Sequence, residues 1–192
     1  MTFRPTRASG GQTLGYALFP TALGHCGIAW GARGLTGVYL PEPTEAALRA
    51  RMARQFPDCS ESTPPVHVQK AMDDIAALLN GTPPEPKDLT HLVLDMDGVP
   101  PFHQRVYEVT RRIPPGETLT YGEVAKLLGE PNASRAVGQA LGANPFAPVV
   151  PCHRVLAANS GSGGFSAPGG VDTKLRMLLT ERAQFGRPGL FD

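Results

Sequence analysis

A cysteine and a histidine stand side by side in the segment Pro151-Cys152-His153-Arg154-Val155. A thiol is a strong nucleophile only as the thiolate, and a neighbouring histidine or cation is the usual means of favouring that form. On an extended segment adjacent side chains point to opposite sides, so proton transfer from Cys152 to His153 requires a bend or a bridging water. Taken alone, the pair favours a buried structural cysteine beside a surface histidine, because free cysteine is among the most buried residue types.

Two short helices joined by a tight turn are predicted upstream of this pair. They cover residues 122–128 and 133–141, and the Gly-Glu-Pro-Asn turn between them is typical of a helix-turn-helix. The second helix consists mostly of small residues and carries Arg135 as its one long cationic side chain. Glycine inside a helix costs about 0.5–1 kcal/mol relative to alanine, so the presence of Gly138 in this helix needs an explanation. Composition favours tight packing on a neighbouring helix, and close approach to a nucleic-acid groove is the alternative.

The N-terminal half of the chain predicts a small antiparallel sheet and two helices. Three short apolar or alternating runs lie between glycine-rich turns within residues 14–40. A helix follows Thr44 as its N-cap, a second helix covers 66–79, and residues 91–95 predict a further strand. With a linker at 98–101, we expect an α+β chain: an α/β domain over 1–98, a mostly helical domain over 99–183, and a tail over 184–192.

Composition describes an ordinary globular protein of 192 residues, 41% hydrophobic and 18% charged. Residues 1–100 hold 8 basic and 10 acidic side chains and residues 101–192 hold 10 and 7, so the C-terminal half is the better candidate for a polyanionic partner. Three cysteines without CxxC spacing favour a reducing, cytoplasmic setting. No leader pattern and no apolar stretch of membrane length is present, so we expect neither secretion nor a membrane partner.

The remaining cysteines and histidines do not predict a metal centre. His25 and Cys26 are adjacent on a predicted strand and face opposite ways, and Cys59 is isolated in the sequence. No set of four ligands at zinc spacing follows from them, so we expect no metal and no cofactor. Cys26 and Cys59 are predicted to be buried small hydrophobes. The glycine-rich stretch 159–164 lacks the lysine of a phosphate loop.

Three runs in the C-terminal half resemble the O6-alkylguanine-DNA alkyltransferases. They are IPPGETLTYGEVA over 113–125, SRAVGQALGANP over 134–145 and PCHRV over 151–155, in the order and spacing of that family. The similarity covers residues 100–182 and is far more specific than a lone Cys-His pair. It implies a winged-helix-like C-terminal domain that contains the helix-turn-helix. In the N-terminal domain only size and strand pattern match, and they imply a ribonuclease-H-like fold.

The resemblance implies a catalytic role for five residues. Cys152 matches the nucleophile that accepts the alkyl group, and His153 matches the residue that draws its proton through a water. Glu181 matches the acid that orients the histidine. Asn144 matches the turn residue between the recognition helix and the active-site segment, and Tyr121 matches a hydroxyl that meets the nucleotide backbone and can protonate guanine.

The resemblance also implies a DNA-binding surface and a substrate pocket. Arg135 matches the side chain that fills the duplex in place of an extruded base. The other residues expected to face DNA are Ser134, Ala136, Gly138 and Tyr121. Those expected to line the pocket are Ala147, Pro151, Val155, Phe165 and Ser166. Phe165 stands where many relatives carry tyrosine, and residues 167–168 look like an insertion.

The expected function is DNA repair by direct reversal. The alkyl group of O6-alkylguanine in double-stranded DNA, and also of O4-alkylthymine, is expected to pass irreversibly to Cys152, so that each monomer acts once. The partner is DNA approached from the minor groove with the damaged base flipped out. Two alternatives stay open: a lesion-binding protein of the alkyltransferase-like kind, which lacks the chemistry, and a Cys-His hydrolase.

Overall fold

The computed structural model of the protein describes residues 12–82, 88–158 and 169–183. The elements, in chain order, are β1 (Thr13–Thr21), β2 (Gly24–Gly31), β3 (Gly34–Tyr39), α1 (Glu45–Gln55), α2 (Val66–Asn80), α3 (Pro101–Arg111), β4 (Leu119–Thr120), α4 (Tyr121–Leu127), α5 (Ser134–Gly142), a 3-10 turn (Cys152–Arg154), β5 (Val155–Leu156) and α6 (Gly170–Thr180). The mixed α+β class expected from the sequence is confirmed. No helix within the described residues has the length and apolar character needed to cross a membrane.

The N-terminal sheet is antiparallel in the order β1-β2-β3, as predicted. Strand side chains alternate between its two faces, so successive residues join different core clusters. One face contributes Phe19 and Ile28 to a cluster with α2, and the other contributes Tyr16 and Ala29 to a cluster with α1. The two helices therefore cover opposite faces of the sheet. Thr44 caps α1 by accepting a hydrogen bond from the backbone N–H of Ala47, as its sequence position predicts.

The strand predicted over 91–95 is wrong. Only an isolated parallel bridge joins Leu94 to Leu35 of β3 in this segment. At the start of this segment, Nη2 of Arg111 on α3 lies within 3.3 Å of the carbonyl oxygens of residues 89, 90 and 92. The carbonyl oxygen of residue 92, the one of these within the predicted strand, therefore binds a side chain and not a neighbouring strand. The predicted linker also differs, because Pro101 occupies the first turn of α3, where its missing N–H costs no hydrogen bond.

The C-terminal helices α3, α4 and α5 surround a second core cluster. Val106 and Tyr107 of α3, Val124 of α4 and Val137 of α5 are all buried in it. The Tyr107 hydroxyl donates a 2.8 Å hydrogen bond to the carbonyl oxygen of Ala140, which ties α3 to α5. The two short helices α4 and α5 lie within two residues of their predicted limits.

The segment that precedes the Cys-His pair rests on the N-terminal sheet. The backbone N–H of Val38 in β3 donates to the carbonyl oxygen of Pro145 at 2.8 Å. Val149, in the segment before the turn, and Met177, on α6, belong to the same core cluster as the sheet and α2. Residues from both halves of the chain therefore share one core, and the domain boundary at 98–99 stays a prediction.

The start of α4 is fixed by a capping box. Oγ1 of Thr120 accepts from the N–H of Glu123 at 3.1 Å, and Oε2 of Glu123 accepts from the N–H of Thr120 at 2.6 Å. We expect Thr120→Ala to lower the free energy of unfolding by about 1 kcal/mol, because the N–H of Glu123 loses its acceptor. Urea denaturation measures this loss. Thr90→Ala, at an exposed threonine, is the control, and an equal loss in both variants would contradict the prediction.

Candidate active site

Cys152 and His153 lie on a 3-10 turn and not on an extended strand. The N–H of Arg154 donates to the carbonyl oxygen of Pro151 at 2.9 Å, and the N–H of Cys152 donates to that of Val150 at 2.8 Å. Pro151 is buried at the start of the turn. The extended geometry considered from the sequence is therefore wrong, and the bend that a proton relay between the two residues requires is present.

The His153 ring and the Arg154 guanidinium both bind the carboxylate of Glu181, directly after α6. Nε2 of His153 lies 2.8 Å from Oε1 of Glu181. Arg154 donates from Nη2 to Oε1 at 2.7 Å and from Nε to Oε2 at 2.9 Å, and its Nη1 donates to the carbonyl oxygen of Ile113 at 2.7 Å. All three charged or polar side chains are buried. The sequence-based assignment did not include Arg154, although it lies within the PCHRV motif.

Glu181 is ionised in this arrangement. Burial alone would raise the pKa of its carboxyl group, but the hydrogen bonds and charges of His153 and Arg154 outweigh burial and lower the pKa to about 2. An ionised carboxylate only accepts hydrogen bonds, so Nε2 of His153 must carry the proton. That tautomer leaves Nδ1 of His153 as an acceptor.

His153 is held as a neutral base. Burial lowers the pKa of the imidazole; Glu181 opposes that shift, while the charges of Arg154 and Lys174 add to it. The imidazole is fully buried. Nδ1 is buried as well and has no hydrogen-bond partner among the described residues. The ring therefore offers a fixed proton acceptor next to the cysteine.

Cys152 is half-buried against the second core cluster. Burial raises the pKa of its thiol, and a hydrogen bond from the Asn144 side chain and the charge of Lys174 oppose that shift. Asn144 also fixes the backbone around it: Nδ2 donates to the carbonyl oxygen of Val150, and Oδ1 accepts from the N–H of Phe146, both at 2.9 Å. Asn144 thus holds the segment that leads into the turn and contacts the thiol.

Two residues near the thiol were missed by the sequence-based assignment. Lys174 of α6 is fully buried, and its Nζ donates to the carbonyl oxygen of Val155 at 2.8 Å. Burial raises the pKa of the Tyr107 hydroxyl, and the nearby Cys152 raises it further. A lysine next to apolar positions on one helix face, seven residues before Glu181, is the signal that could have identified Lys174. Tyr107 has no comparable signal.

Tyr121 and helix α5 border the same site. Burial and the nearby Cys152 raise the pKa of the Tyr121 hydroxyl. A Cβ added to Gly138 would lie 3.8 Å from the Tyr121 ring, which is ordinary contact, and a Cβ added to Gly142 would meet nothing within 4 Å. Tight packing within the described chain, which composition favoured, therefore does not explain these two glycines.

The N-terminal end of α5 faces outward. Ser134 and Arg135 are exposed and Ala136 is half-buried. No side chain caps the helix at Ala133, so its first N–H groups are not held by a cap residue. This end of α5 combines the exposed Arg135 side chain with backbone N–H groups that no cap residue binds.

Of the residues predicted to line the substrate pocket, some lie beside Cys152 and others do not. Val155 is fully buried in the cluster that contacts Cys152, and it pairs with Leu119 in the parallel β4–β5 ladder. Ala147 packs against the cluster of the N-terminal sheet. Phe165, Ser166 and the insertion at 167–168 lie outside the described residues. Within residues 12–82, 88–158 and 169–183, no three His, Cys, Asp or Glu side chains are grouped to hold a metal ion.

The predicted consequence of the Glu181 arrangement is acid sensitivity. The folded-state pKa of Glu181 is below its ordinary value of 4.5, so its contribution to stability is present above pH 4.5 and is lost as the pH falls towards about 2. The lowered pKa of His153 has the same effect on stability. As the pH falls below 6.5, the unfolded state binds the proton of this histidine more readily than the folded state does, so stability decreases.

We expect Glu181→Gln to lower the free energy of unfolding by about 3–5 kcal/mol at pH 7, since it leaves a buried arginine without its charge partner. Its stability should also depend less on pH between 4.5 and 2. Urea denaturation across this pH range measures both effects. Glu108→Gln, at an exposed glutamate of α3, is the control. Equal pH dependence in Glu181→Gln and the unchanged protein would contradict the interpretation.

The family model that matches this chain is the DNA-binding domain of 6-O-methylguanine DNA methyltransferase, over residues 101–183. The chain is 36% identical to a methylated-DNA–protein-cysteine methyltransferase of Methanothermobacter thermautotrophicus, over 81% of this chain and 78% of that protein. It is 35% identical to the bifunctional transcriptional activator/DNA repair enzyme Ada of Escherichia coli over 90% of this chain, and it spans 47% of that longer protein.

A solved structure shows the same similarity in three dimensions. The crystal structure of Mycobacterium tuberculosis OGT in complex with DNA superposes with a TM-score of 0.69 at 30% identity, covering 88% of this chain and 93% of that one. The identity and the coverage extend well beyond the matched DNA-binding domain, into the N-terminal half. The chain therefore belongs to the methylated-DNA–protein-cysteine methyltransferase family.

Proposed function

We propose that this protein repairs alkylated DNA by moving an alkyl group from the O6 atom of guanine to Sγ of Cys152. The observation that carries the proposal is the buried His153–Glu181 pair, hydrogen-bonded at 2.8 Å, directly beside a half-buried cysteine. In this proposal Cys152 is the nucleophile, His153 is the base and Glu181 orients the base, which is the order of groups in many sites of covalent catalysis. Family membership supports the same reaction.

The proposed reaction begins with loss of the Cys152 proton. Nδ1 of His153 accepts it through a bridging water, and Glu181 stabilises the imidazolium that forms. The thiolate then attacks the alkyl carbon, so that an S–C bond forms as the C–O6 bond breaks. The electron pair of that bond stays on guanine, which takes a proton from Tyr121, and the Tyr121 phenolate regains a proton from the His153 imidazolium through water. A thioether is not hydrolysed under these conditions, so each molecule acts once. The same displacement applies to O4-alkylthymine.

The proposed DNA contact is the outward end of α5 in the minor groove. Small residues there allow close approach, and packing against the described residues does not account for Gly138. The uncapped N–H groups suit a phosphate, which positions the duplex without reading its sequence. The target base lies inside the stack and must be flipped out at a cost of a few kcal/mol. Arg135 occupies the space that it leaves.

We also propose the finer assignments of the fold. Three antiparallel strands with helices on opposite faces support a ribonuclease-H-like domain over 1–98. The α4–α5 pair with the β4–β5 ladder supports a winged-helix-like domain with a helix-turn-helix over 99–183. The protein acts as a monomer. Its cytoplasmic location and the tail over 184–192 stay predictions.

The test is incubation with duplex DNA that carries a labelled O6-methylguanine. We expect label on the protein, saturating at one methyl group per chain and located on the peptide that contains Cys152. Cys152→Ala should take up no label, whereas Cys59→Ala, at another half-buried cysteine, should match the unchanged protein. Tight binding without transfer would indicate a lesion-binding protein, and continuous turnover of an ester or amide would indicate a hydrolase; either result would overturn the proposal.

A variant of Arg135 tests its role in base flipping separately from the methyl-transfer step. We expect Arg135→Ala to slow methyl transfer from duplex DNA at least about tenfold, because the cost of base flipping is no longer offset. Transfer from the free base O6-benzylguanine should be unchanged, since no duplex is opened. Single-turnover rates with the two substrates measure the difference. Arg54→Ala, at an exposed arginine of α1, serves as the control, and equal slowing on both substrates would refute the role.

A further inference from the structure

The last turn of α5 is closed by long or shared backbone hydrogen bonds. The N–H of Ala143 is shared between the carbonyl oxygens of Gln139 at 3.1 Å and Ala140 at 3.2 Å, and the N–H of Asn144 donates to that of Leu141 at 3.2 Å. The last carbonyls of a helix lack partners at the usual helical spacing, so they need donors from elsewhere. The backbone of α5 alone therefore holds this end of the helix weakly.

Tyr107 of α3 provides a short hydrogen bond at the same place. Its hydroxyl donates to the carbonyl oxygen of Ala140 at 2.8 Å, and both residues are buried. The Tyr107 ring packs in the second core cluster, and its centroid lies 6.1 Å from that of the His103 ring, one turn earlier on α3. Without the hydroxyl, the buried carbonyl of Ala140 would rely on the shared N–H of Ala143, which is unfavourable.

Helix α3 holds Tyr107 in a fixed position. Nη2 of Arg105 donates to the carbonyl oxygen of Leu128 after α4 at 2.8 Å, and Nη2 of Arg111 donates to that of Leu92 at 2.7 Å. Tyr107 lies between these two arginines in the helix. Contacts that involve neither α5 nor the active-site turn therefore set the position of the Tyr107 hydroxyl.

Asn144 connects the end of α5 to the thiol. It follows Ala140 by four residues, and its side chain binds the backbone of Val150 and Phe146, both at 2.9 Å. The same side chain forms a hydrogen bond with the thiol of Cys152 that favours the thiolate. A shift of the last turn of α5 would therefore move this amide relative to the sulfur.

We propose that Tyr107 is a positioning residue, whose hydroxyl holds the end of α5 and thereby keeps Asn144 aligned with the thiol of Cys152. This inference rests on the proposed role of Cys152 as the nucleophile. Tyr107 does not transfer a proton itself, because its single hydroxyl hydrogen is donated to Ala140. It therefore differs from Tyr121, which is the proposed proton donor to guanine.

Replacing Tyr107 by phenylalanine removes the hydroxyl and keeps the ring in the core. The hydroxyl is neutral, because burial raises its pKa and the nearby Cys152 raises it further. The substitution therefore changes no charge near the thiol, and a change in the pKa of Cys152 would report a displaced hydrogen bond. The other titratable groups around the thiol stay in place: Tyr121 of α4, His153 and Arg154 of the turn, Lys174 of α6, and Glu181 directly after α6.

The first test follows the alkylation of Cys152 by iodoacetamide as a function of pH, with the modified peptide quantified by mass spectrometry. We expect Tyr107→Phe to shift the midpoint of the profile upward by about half a pH unit, which slows the reaction at pH 7 about threefold, because the Asn144 hydrogen bond to the thiolate is weakened. Tyr39→Phe, at a buried tyrosine of the cluster with α1, is the matched control and should leave the profile unchanged. An unshifted midpoint in Tyr107→Phe, with or without a uniform loss of rate, would overturn the proposal.

The second test observes Asn144 directly by NMR. The chain has four asparagines, so selective 15N labelling allows their side-chain amides to be followed individually. We expect the amide hydrogens of Asn144 to exchange with solvent about tenfold faster in Tyr107→Phe, because the end of α5 opens more easily, whereas those of Asn80 and Asn132 should be unchanged. Unaltered exchange at Asn144 would overturn the proposal. Neither test uses DNA or an alkylated base, so failure of this inference is distinguishable from failure of the proposed function.

Discussion

The active site depends on the ionised carboxylate of Glu181. Its two oxygens bind His153 and Arg154, and these contacts fix the tautomer of the histidine. In a buried site the complete hydrogen-bond network is rigid, whereas loss of one partner leaves an unpaired charge that strongly lowers stability. Each partner is also anchored elsewhere: Arg154 reaches the backbone of Ile113, and Glu181 directly follows α6. One carboxylate thus joins the active-site turn, the loop after α3 and the last helix.

The N-terminal half supports the site from the opposite side. Val38 of β3 donates to Pro145, and Val149 packs into the core of the sheet. Between them, Asn144 fixes the segment from Phe146 to Val150 with two hydrogen bonds. Cys152 therefore follows a segment that has no regular helix or strand but whose backbone is held by hydrogen bonds from Asn144 and Val38. These contacts fix the backbone that leads into the turn carrying Cys152 and His153.

Much of the fold and the centre of the site could be predicted from the sequence. Alternating apolar runs and the cap at Thr44 predicted β1, β2, β3 and α1, and the PCHRV motif singled out Cys152 and His153, whose catalytic roles stay a prediction. The strand predicted over 91–95 is wrong because this segment forms only an isolated bridge to β3, and the carbonyl oxygen of Leu92 binds Arg111, a residue distant in sequence. Lys174 was missed because its burial depends on tertiary contacts, which the apolar positions beside it on the helix only suggest. The 3-10 turn at Cys152 likewise reflects hydrogen bonds that an extended pattern does not encode.

The parallel pairing of β4 with β5 has an evolutionary consequence. Leu119 pairs with Val155 and Thr120 with Leu156, so the start of α4 is joined to the residues after Cys152 by backbone atoms alone. Side chains on the outward face of α5 take no part in this connection. Exchanges on that face leave the pairing of β4 with β5 intact, so the surface of α5 can vary in sequence without displacing the turn that carries Cys152.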